Sequence, residues 1–115
     1  DAREAARRRL LEAGDRRVVR EWVAEGLAEG RDRAWLLEAI SALSRVPAPV
    51  DTEVLALQLR VFERLGSERT VAQLARELAE AGEPEALDRL AVAYRNWGPG
   101  CERHADVLAL LAAAD

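Results

Sequence analysis

Apolar side chains recur every three to four residues along nearly the whole chain, with charged residues between them. This spacing places the apolar residues on one face of an α-helix. A glycine just past a helix supplies the left-handed residue that ends it. Glycines follow five of the periodic stretches: Gly14, Gly30, Gly66, Gly82 and Gly98. The pattern predicts seven helices, over residues 2–13, 15–29, 31–45, 52–65, 67–81, 84–97 and 101–113.

Residues that favour helix starts precede several of these stretches. Asp15, Asp51 and Ser67 carry side chains that accept hydrogen bonds from the free N–H groups of a first helical turn. Pro84 lies at a first-turn position, where proline is well tolerated. The loops are short, so consecutive helices should pack antiparallel. We expect an all-α fold of about seven short helices in one domain over residues 1–115, either a solenoid-like hairpin array or a compact bundle.

Two parts of the pattern stand out from the regular helices. The helix over 52–65 is apolar on nearly all sides, which predicts that it is the most buried element. Residues 46–50, Val-Pro-Ala-Pro-Val, form the one extended break, and they are too few for a domain linker. Gly26 lies inside a predicted helix, where it costs about 1 kcal/mol relative to alanine. We therefore expect a close approach at Gly26, by a crossing helix or by a ligand.

The later helices show a weak internal repeat. At an offset of 34 residues, 67–70 corresponds to 101–104 and Leu74 corresponds to Leu108. At an offset of 32 residues, four positions of the fourth helix have counterparts in the sixth. These pairs are Glu53 with Glu85, Leu55 with Leu87, Phe62 with Tyr94 and Gly66 with Gly98. Self-similarity at such a period is typical of arrays of helical hairpins.

The run Leu90-Ala91-x-x-Tyr94-x-x-x-Gly98 resembles the first helix of a tetratricopeptide repeat. Pro84 lies where such repeats often place a proline. The resemblance covers about half of the chain, and the first three helices fit it poorly. It implies stacked helical hairpins with a concave binding surface, and it names no partner. The alternative is that any antiparallel array with glycine stops produces such matches.

Composition narrows the class of protein. All 17 basic residues are arginine, and 21 acidic residues give a net charge of −4. An acidic chain without a basic block does not favour nucleic-acid binding. No stretch approaches the roughly 18 to 20 apolar residues of a membrane span, and no signal-peptide pattern opens the chain. We expect a cytoplasmic protein that binds neither nucleic acid nor membrane. The lack of lysine and the regular glycine stops favour an engineered or de novo designed origin over a high-GC bacterial genome.

The sharpest candidate for chemistry lies at the start of the last predicted helix. Cys101 opens that helix, where the dipole favours a thiolate, and His104 follows on the same face. Leu108 and Leu111 continue the face, so both polar side chains should point inward. Three uses are open: an activated nucleophile, a metal or haem ligand, and a contact to a small ligand. The alternative is that both residues only pack, as a buried cysteine often does.

Aromatic and amide side chains are further candidate ligand contacts. Trp22, Trp35 and Trp97 are core anchors or walls of a pocket, and Tyr94 lies on the apolar face of the sixth predicted helix. Gln58 lies in the apolar fourth helix, and an unsatisfied buried amide costs about 1–3 kcal/mol. Gln58 therefore needs a partner, which Tyr94, a backbone carbonyl or a ligand would provide. One cysteine and one histidine do not suffice for a structural zinc site.

These residues favour a non-catalytic binding scaffold. A concave apolar surface lined by Trp22, Tyr94, Trp97 and His104 would hold a peptide, a protein helix or a small molecule. The alternative is a designed haem-binding or catalytic helical protein that uses His104 or Cys101 as the iron ligand or reactive group. Whether the protein is an enzyme stays open, and no catalytic residue is assigned. A designed fold without activity is a third interpretation.

Overall fold

The structure is a computed structural model that describes residues 1–83, 85–97 and 104–113. These residues form seven α-helices and no β-strand, which confirms the predicted all-α fold. No helix in this part of the chain has the length and apolar character needed to cross a membrane. The helices are α1 (Ala2–Glu12), α2 (Arg16–Glu29), α3 (Arg33–Ser44), α4 (Thr52–Leu65), α5 (Glu68–Glu80), α6 (Glu85–Trp97) and α7 (His104–Ala113).

The first six helices lie within two residues of their predicted bounds at either end. The helices end near the predicted residues because the four described glycines that follow helices have left-handed φ angles between 69° and 95°. These are Gly14, Gly30, Gly66 and Gly82, whereas the predicted stop at Gly98 lies outside the described residues. The third helix starts two residues later than predicted. Its start is set by Asp32, whose carboxylate accepts a hydrogen bond from the Trp35 backbone N–H at 3.0 Å.

The three predicted helix starts are confirmed, since Asp15, Asp51 and Ser67 directly precede α2, α4 and α5. The carboxylates of Asp15 and Asp51 accept hydrogen bonds from the backbone N–H three residues ahead, at 3.0 and 2.9 Å. Ser67 lies at the N-cap of α5, but its side chain makes no capping bond. Its hydroxyl donates instead to the Thr70 hydroxyl at 3.1 Å. The prediction that the Ser67 side chain caps the helix is therefore wrong.

The chain divides into two compact units, Asp1–Val61 and Phe62–Asp115, here called unit 1 and unit 2. The division falls inside α4 and not at residues 46–50, where the sequence shows its only extended break. Helix α4 is continuous through the division, so its residues contribute to both units. The expectation of one domain over residues 1–115 stays a prediction.

The core of unit 1 comes chiefly from facing sides of α2 and α3. Each side consists of apolar residues three or four positions apart, the spacing that keeps them on one helix face. Burying these side chains contributes about 25 cal/mol for each Å² removed from water. Helix α1 has no buried residue. The buried apolar residues of the two helices are Val19, Val23 and Leu27 in α2, and Trp35, Leu36, Ala39, Ala42 and Leu43 in α3.

The core of unit 2 is built from α5, α6 and α7, since α5 packs against both of the others. Its buried residues include Val71, Leu74, Ala75, Leu78, Ala86, Leu90, Ala93 and Val107. Helix α4 has three buried residues, whereas α3 and α5 have five each. The prediction that α4 is the most buried helix is therefore wrong. Leu55 and Leu57, which made its pattern apolar on nearly all sides, are only half-buried.

Burial supports one of the two repeat offsets. At an offset of 32 residues, Leu55 and Leu87 are both half-buried, and so are Phe62 and Tyr94. At an offset of 34 residues, Leu74 is 7% exposed whereas its counterpart is 46% exposed. That counterpart, Leu108, lies outside the core of unit 2. The compared positions of the fourth and sixth helices are thus similarly buried, whereas Leu74 and Leu108 are not, and the counterparts at 101–104 lie outside the residues whose side chains are described.

An arginine attaches the segment before α4 to α2. The Arg16 guanidinium donates to the carbonyl oxygens of Pro47 and Pro49 at 2.9 and 2.7 Å. It also lies 3.5 Å from a carboxylate oxygen of Asp51, the residue that caps α4. A planar guanidinium presents several N–H donors in a fixed fork, so one side chain satisfies all three oxygens. The proline-containing break is therefore held in place although it has no regular secondary structure.

Candidate functional site

The predicted site residues are divided between the two units. Unit 1 contains Trp22, Gly26 and Gln58, and unit 2 contains Tyr94, Trp97, Cys101 and His104. Cys101 lies outside the described residues, and only the backbone of His104 is described. The proposed nucleophile, the metal or haem ligand and the single groove lined by Trp22, Tyr94, Trp97 and His104 all stay predictions.

The inward face of α7 differs from the predicted one. Val107 is fully buried, whereas Leu108 is 46% exposed and Leu111 is half-buried. Successive residues of an α-helix point about 100° apart, so burial of Val107 turns Leu108 towards the side of the helix. The prediction that Leu108 faces inward is therefore wrong, and the argument that placed Cys101 and His104 on an inward face loses that support.

Gly26 of α2 lies directly against the Trp35 side chain of α3. A Cβ atom at this position would overlap the six-membered ring of the Trp35 indole. Trp35 is only 3% exposed, so it has little room to move away. The close approach predicted at Gly26 is thus made by a side chain of a crossing helix. This contact accounts for the glycine without a ligand.

Trp35 also forms an aromatic pair with Trp22. The two ring centroids lie 5.2 Å apart, and the ring planes are tilted by 44°. Aromatic pairs at this distance contribute about 0.5–1.5 kcal/mol beyond the area that they bury. Trp22 is half-buried, so part of its ring remains accessible. The predicted contact residue Trp22 therefore lies at the edge of a tryptophan pair that the sequence did not indicate.

These tryptophans line a cleft of about 400 Å³ in unit 1. Residues of α3 at helical spacing form one wall of the cleft, and residues of α1 form another. Trp22 and Arg31 complete the lining of the cleft. Such spacing keeps one face of each helix directed at the cleft. We call it the tryptophan cleft. Its lining residues are Arg8, Leu11, Glu12, Trp22, Arg31, Trp35, Glu38, Ser41, Ala42 and Arg45.

Most charges around the tryptophan cleft are already paired. Arg8 lies 3.7 Å from a carboxylate oxygen of Glu12. Arg31 lies 3.6 Å from Glu29, and its guanidinium carbon is 6.0 Å from the Trp35 ring centroid, the outer limit of a cation–π contact. Within the part of the chain that the structure describes, neither Arg45 nor Glu38 has an ion-pair partner.

The indole N–H of Trp35 is buried and has no hydrogen-bond partner among the described residues. Leaving a buried donor unsatisfied costs about 1–3 kcal/mol. Because the nitrogen has almost no accessible surface, a molecule in the cleft would contact the ring and not this N–H. The tryptophan therefore serves the cleft as an apolar wall, at some cost to stability.

A second cleft, of about 330 Å³, lies in unit 2 and contains the predicted residue Trp97. It is lined by Glu63, Asp88, Arg89, Val92, Ala93, Asn96 and Trp97. Tyr94 is half-buried on the same helix, and Gln58 is half-buried on α4. Neither of these two lines one of the two clefts. The amide of Gln58 is thus less buried than the sequence led us to expect.

Among the residues that the structure describes, no group of three or more histidine, cysteine, aspartate or glutamate side chains is placed to hold a metal ion. No protein-family model matches this chain, and no curated protein or solved structure matches it either. The resemblance to tetratricopeptide repeats and the designed origin therefore stay predictions.

Proposed function

We propose that this protein is a non-catalytic binding scaffold whose tryptophan cleft holds a small aromatic carboxylate. The observation that carries the proposal is the Trp22–Trp35 pair on the wall of a cleft that also contains the unpaired Arg45. A volume of about 400 Å³ lies within the range of small-molecule sites, roughly 300–1,000 Å³. Such sites combine apolar and aromatic walls with a few polar groups that orient the ligand.

The aromatic part of the ligand is recognised by Trp22. Its ring is half-buried and tilted against Trp35, so it offers a surface to a second flat ring. Aromatic rings favour offset or edge-to-face contacts of this kind. Trp35 holds the geometry from behind because Gly26 leaves space for its indole. Leu11 adds an apolar contact from α1.

The acidic part of the ligand is recognised by Arg45. A guanidinium binds a carboxylate through two parallel hydrogen bonds, and it stays charged at any physiological pH. Glu38 lies on the same wall seven residues earlier, about 10 Å along the helix. Its negative charge disfavours a ligand carboxylate at that end. The two residues together fix one orientation, with the carboxylate at Arg45 and the ring at the tryptophans.

The test is a titration with 1-naphthoate, followed by nuclear magnetic resonance of the three tryptophan indole N–H groups. We expect saturable shifts at the Trp22 and Trp35 signals and little change at the Trp97 signal. Arg45→Gln should weaken binding about twofold to fivefold, the effect of one exposed charge pair. Arg33→Gln is the matched control, because Arg33 is an exposed arginine of α3 that does not line the cleft.

A neutral probe of the same shape, 1-naphthol, distinguishes the two parts of the proposal. If 1-naphthol binds as tightly as 1-naphthoate, Arg45 does not recognise an anion. If neither probe shifts the Trp22 signal, the cleft does not bind aromatic rings and the proposed function is wrong. Trp22→Leu keeps an apolar residue at this half-buried position and should abolish the aromatic contact while the circular dichroism of the helices is retained.

We propose further that the helices form a frame similar to hairpin repeats. The extensive packing of α5 against α6 and the equivalent burial of the fourth and sixth helices support this. A frame of short helices joined by glycine stops suits a binding scaffold, since it presents helix faces without needing long loops. The lysine-free composition supports a designed origin for this frame.

A further inference from the structure

The cleft of unit 2 is not used by the proposed function. It follows one side of α6, since Asp88, Val92 and Asn96 are spaced by four residues and so lie along one edge of the helix. Arg89, Ala93 and Trp97 follow the same spacing next to them. Glu63 of α4 belongs to unit 2 as well and completes the lining. We call this cleft the α6 cleft.

Two charged residues of the α6 cleft, Arg89 and Glu63, form an ion pair with each other. The Arg89 Nε and Nη2 atoms donate to the two carboxylate oxygens of Glu63 at 2.9 and 2.6 Å. Two parallel bonds of this kind use both oxygens and the matching edge of the guanidinium. The Glu63 side chain is 19% exposed, so the pair is partly removed from water. Arg89 and Glu63 therefore add no net charge to the cleft.

Asp88 is the carboxylate that remains. It is exposed, and within the described residues it has no hydrogen-bond or ion-pair partner. The two other carboxylates near the start of α6 interact with each other. A hydrogen bond with Glu85 raises the pKa of Glu83, and a backbone hydrogen bond lowers the pKa of Glu85. Neither Glu83 nor Glu85 lines the α6 cleft, and Arg89 is paired with Glu63, so the net charge of the cleft lining is that of Asp88.

An apolar path leads away from this charge. Val92 is 53% exposed and lies one turn beyond Asp88, about 6 Å along the helix. Ala93 and the half-buried Trp97 continue the path towards the end of α6. The path suits an apolar chain that carries a positive charge at one end.

We propose that the α6 cleft binds a protonated aliphatic amine. The ammonium group pairs with the Asp88 carboxylate, and the carbon chain lies over Val92 and Ala93 towards Trp97. This ligand is a cation without a ring, whereas the tryptophan cleft is argued to hold an aromatic anion. The two sites lie in different units and share no residue. Failure of one proposal therefore leaves the other untouched.

The experiment is a titration of the whole chain with n-hexylammonium chloride, followed by nuclear magnetic resonance. Asn96 is the single asparagine of the chain, so its side-chain amide gives a signal that reports on this cleft alone. We expect saturable shifts at Asn96 and at the Trp97 indole N–H, with a Kd of about a millimolar, as befits a ligand of few atoms. Hexanoate, which has the opposite charge, should not bind.

Asp88→Asn removes the charge while keeping the size of the side chain. Because it adds a second asparagine to the cleft, its titration is followed at the Trp97 indole N–H. The substitution should weaken binding about twofold to fivefold, the effect of an exposed ion pair. Glu80→Gln is the matched control, since Glu80 is an exposed carboxylate of unit 2 outside the cleft, and it should leave the Kd unchanged. Raising the salt concentration should weaken hexylammonium binding to the unaltered chain, because salt screens exposed charges.

Three results would overturn the proposal. The first is equal binding of 1-hexanol and hexylammonium, which would show that no charge is recognised. The second is a Kd that changes neither with Asp88→Asn nor with added salt. The salt series uses the unaltered chain, so it tests the proposal even if the variant does not fold. The third is shifts at the Trp22 indole in place of the Trp97 indole, which would put the amine in the tryptophan cleft.

Discussion

At the scale of single residues, Gly26 shows how a missing side chain sets the position of a large one. The space beside its Cα atom is filled by the Trp35 indole, which in turn supports Trp22. A glycine inside a helix costs about 1 kcal/mol relative to alanine. This cost is offset because, without a side chain at position 26, the Trp35 indole of α3 can pack directly against α2. The tryptophan cleft depends on that contact.

We therefore predict that Gly26→Ala lowers the free energy of unfolding by about 1–3 kcal/mol, although alanine is the better helix former. The new methyl group would overlap the six-membered ring of Trp35, which is too buried to move aside. Urea denaturation followed by circular dichroism measures the difference. In a Trp35→Phe background the overlapping ring atoms are gone, so the same change should be neutral or stabilising. An equal loss in both backgrounds would contradict this explanation.

At the scale of helices, most of the fold could be predicted from the sequence, because local signals define helix ends. Periodicity located the seven helices, and glycines with left-handed φ ended four of them. The start of α3 was missed because Asp32 is the capping residue, and an aspartate two residues after a glycine stop gave no clear preference between starts. Burial within α4 was overestimated, since composition alone does not say which side of a helix meets a partner.

The candidate site was predicted less well, because it depends on which helices pack together. The sequence indicates Trp22 and Trp35 as possible pocket walls, but it indicates neither that they pair with each other nor that Arg45 lies beside them. A signal was present: Trp35, Glu38, Ala42 and Arg45 follow helical spacing along one face of α3. That spacing shows only that they share a face. The opposite wall, from α1, is set by tertiary packing that no local pattern encodes.

Also at the scale of elements, Arg16 should matter more than its exposure indicates. It holds two carbonyl oxygens before α4 and the cap residue Asp51. We predict that Arg16→Ala lowers the free energy of unfolding by about 1–2 kcal/mol and that Arg16→Lys restores little of it, because an ammonium lacks the fork geometry. Hydrogen exchange should speed up at the first turn of α4.

The neighbouring arginine provides the control for this prediction. Arg17 pairs with Glu21 one turn along the helix, and its side chain is 83% exposed. Exposed pairs of this kind contribute about 0.3–0.5 kcal/mol, so Arg17→Ala should change stability by no more than that. Equal effects of the two alanine substitutions in chemical denaturation would show that the segment before α4 does not depend on Arg16.

At the scale of the whole molecule, the division into two units raises the question of whether they unfold together. Helix α4 runs without interruption from Thr52 to Leu65, and the division falls between Val61 and Phe62. A helix of this length is marginal by itself and depends on packing at both of its ends. Loss of one unit should therefore fray the helix that the other unit also uses, and the two should unfold as one cooperative step.

The test is Leu78→Ala in a chain that also carries Trp97→Phe. Leu78 is 2% exposed in unit 2, so its truncation should lower stability by about 2–5 kcal/mol. With Trp97 replaced, fluorescence comes only from Trp22 and Trp35 in unit 1. We expect the fluorescence midpoint to fall together with the far-ultraviolet circular dichroism midpoint.

The matched control for this test is Leu108→Ala, because Leu108 belongs to the same unit and is 46% exposed. Its truncation should move neither midpoint by much, since a partly exposed leucine buries little area and leaves no cavity. If Leu78→Ala shifts the circular dichroism transition while the fluorescence midpoint stays in place, the units unfold independently. Helix α4 would then behave as two separate segments, and each cleft would belong to a domain with its own stability.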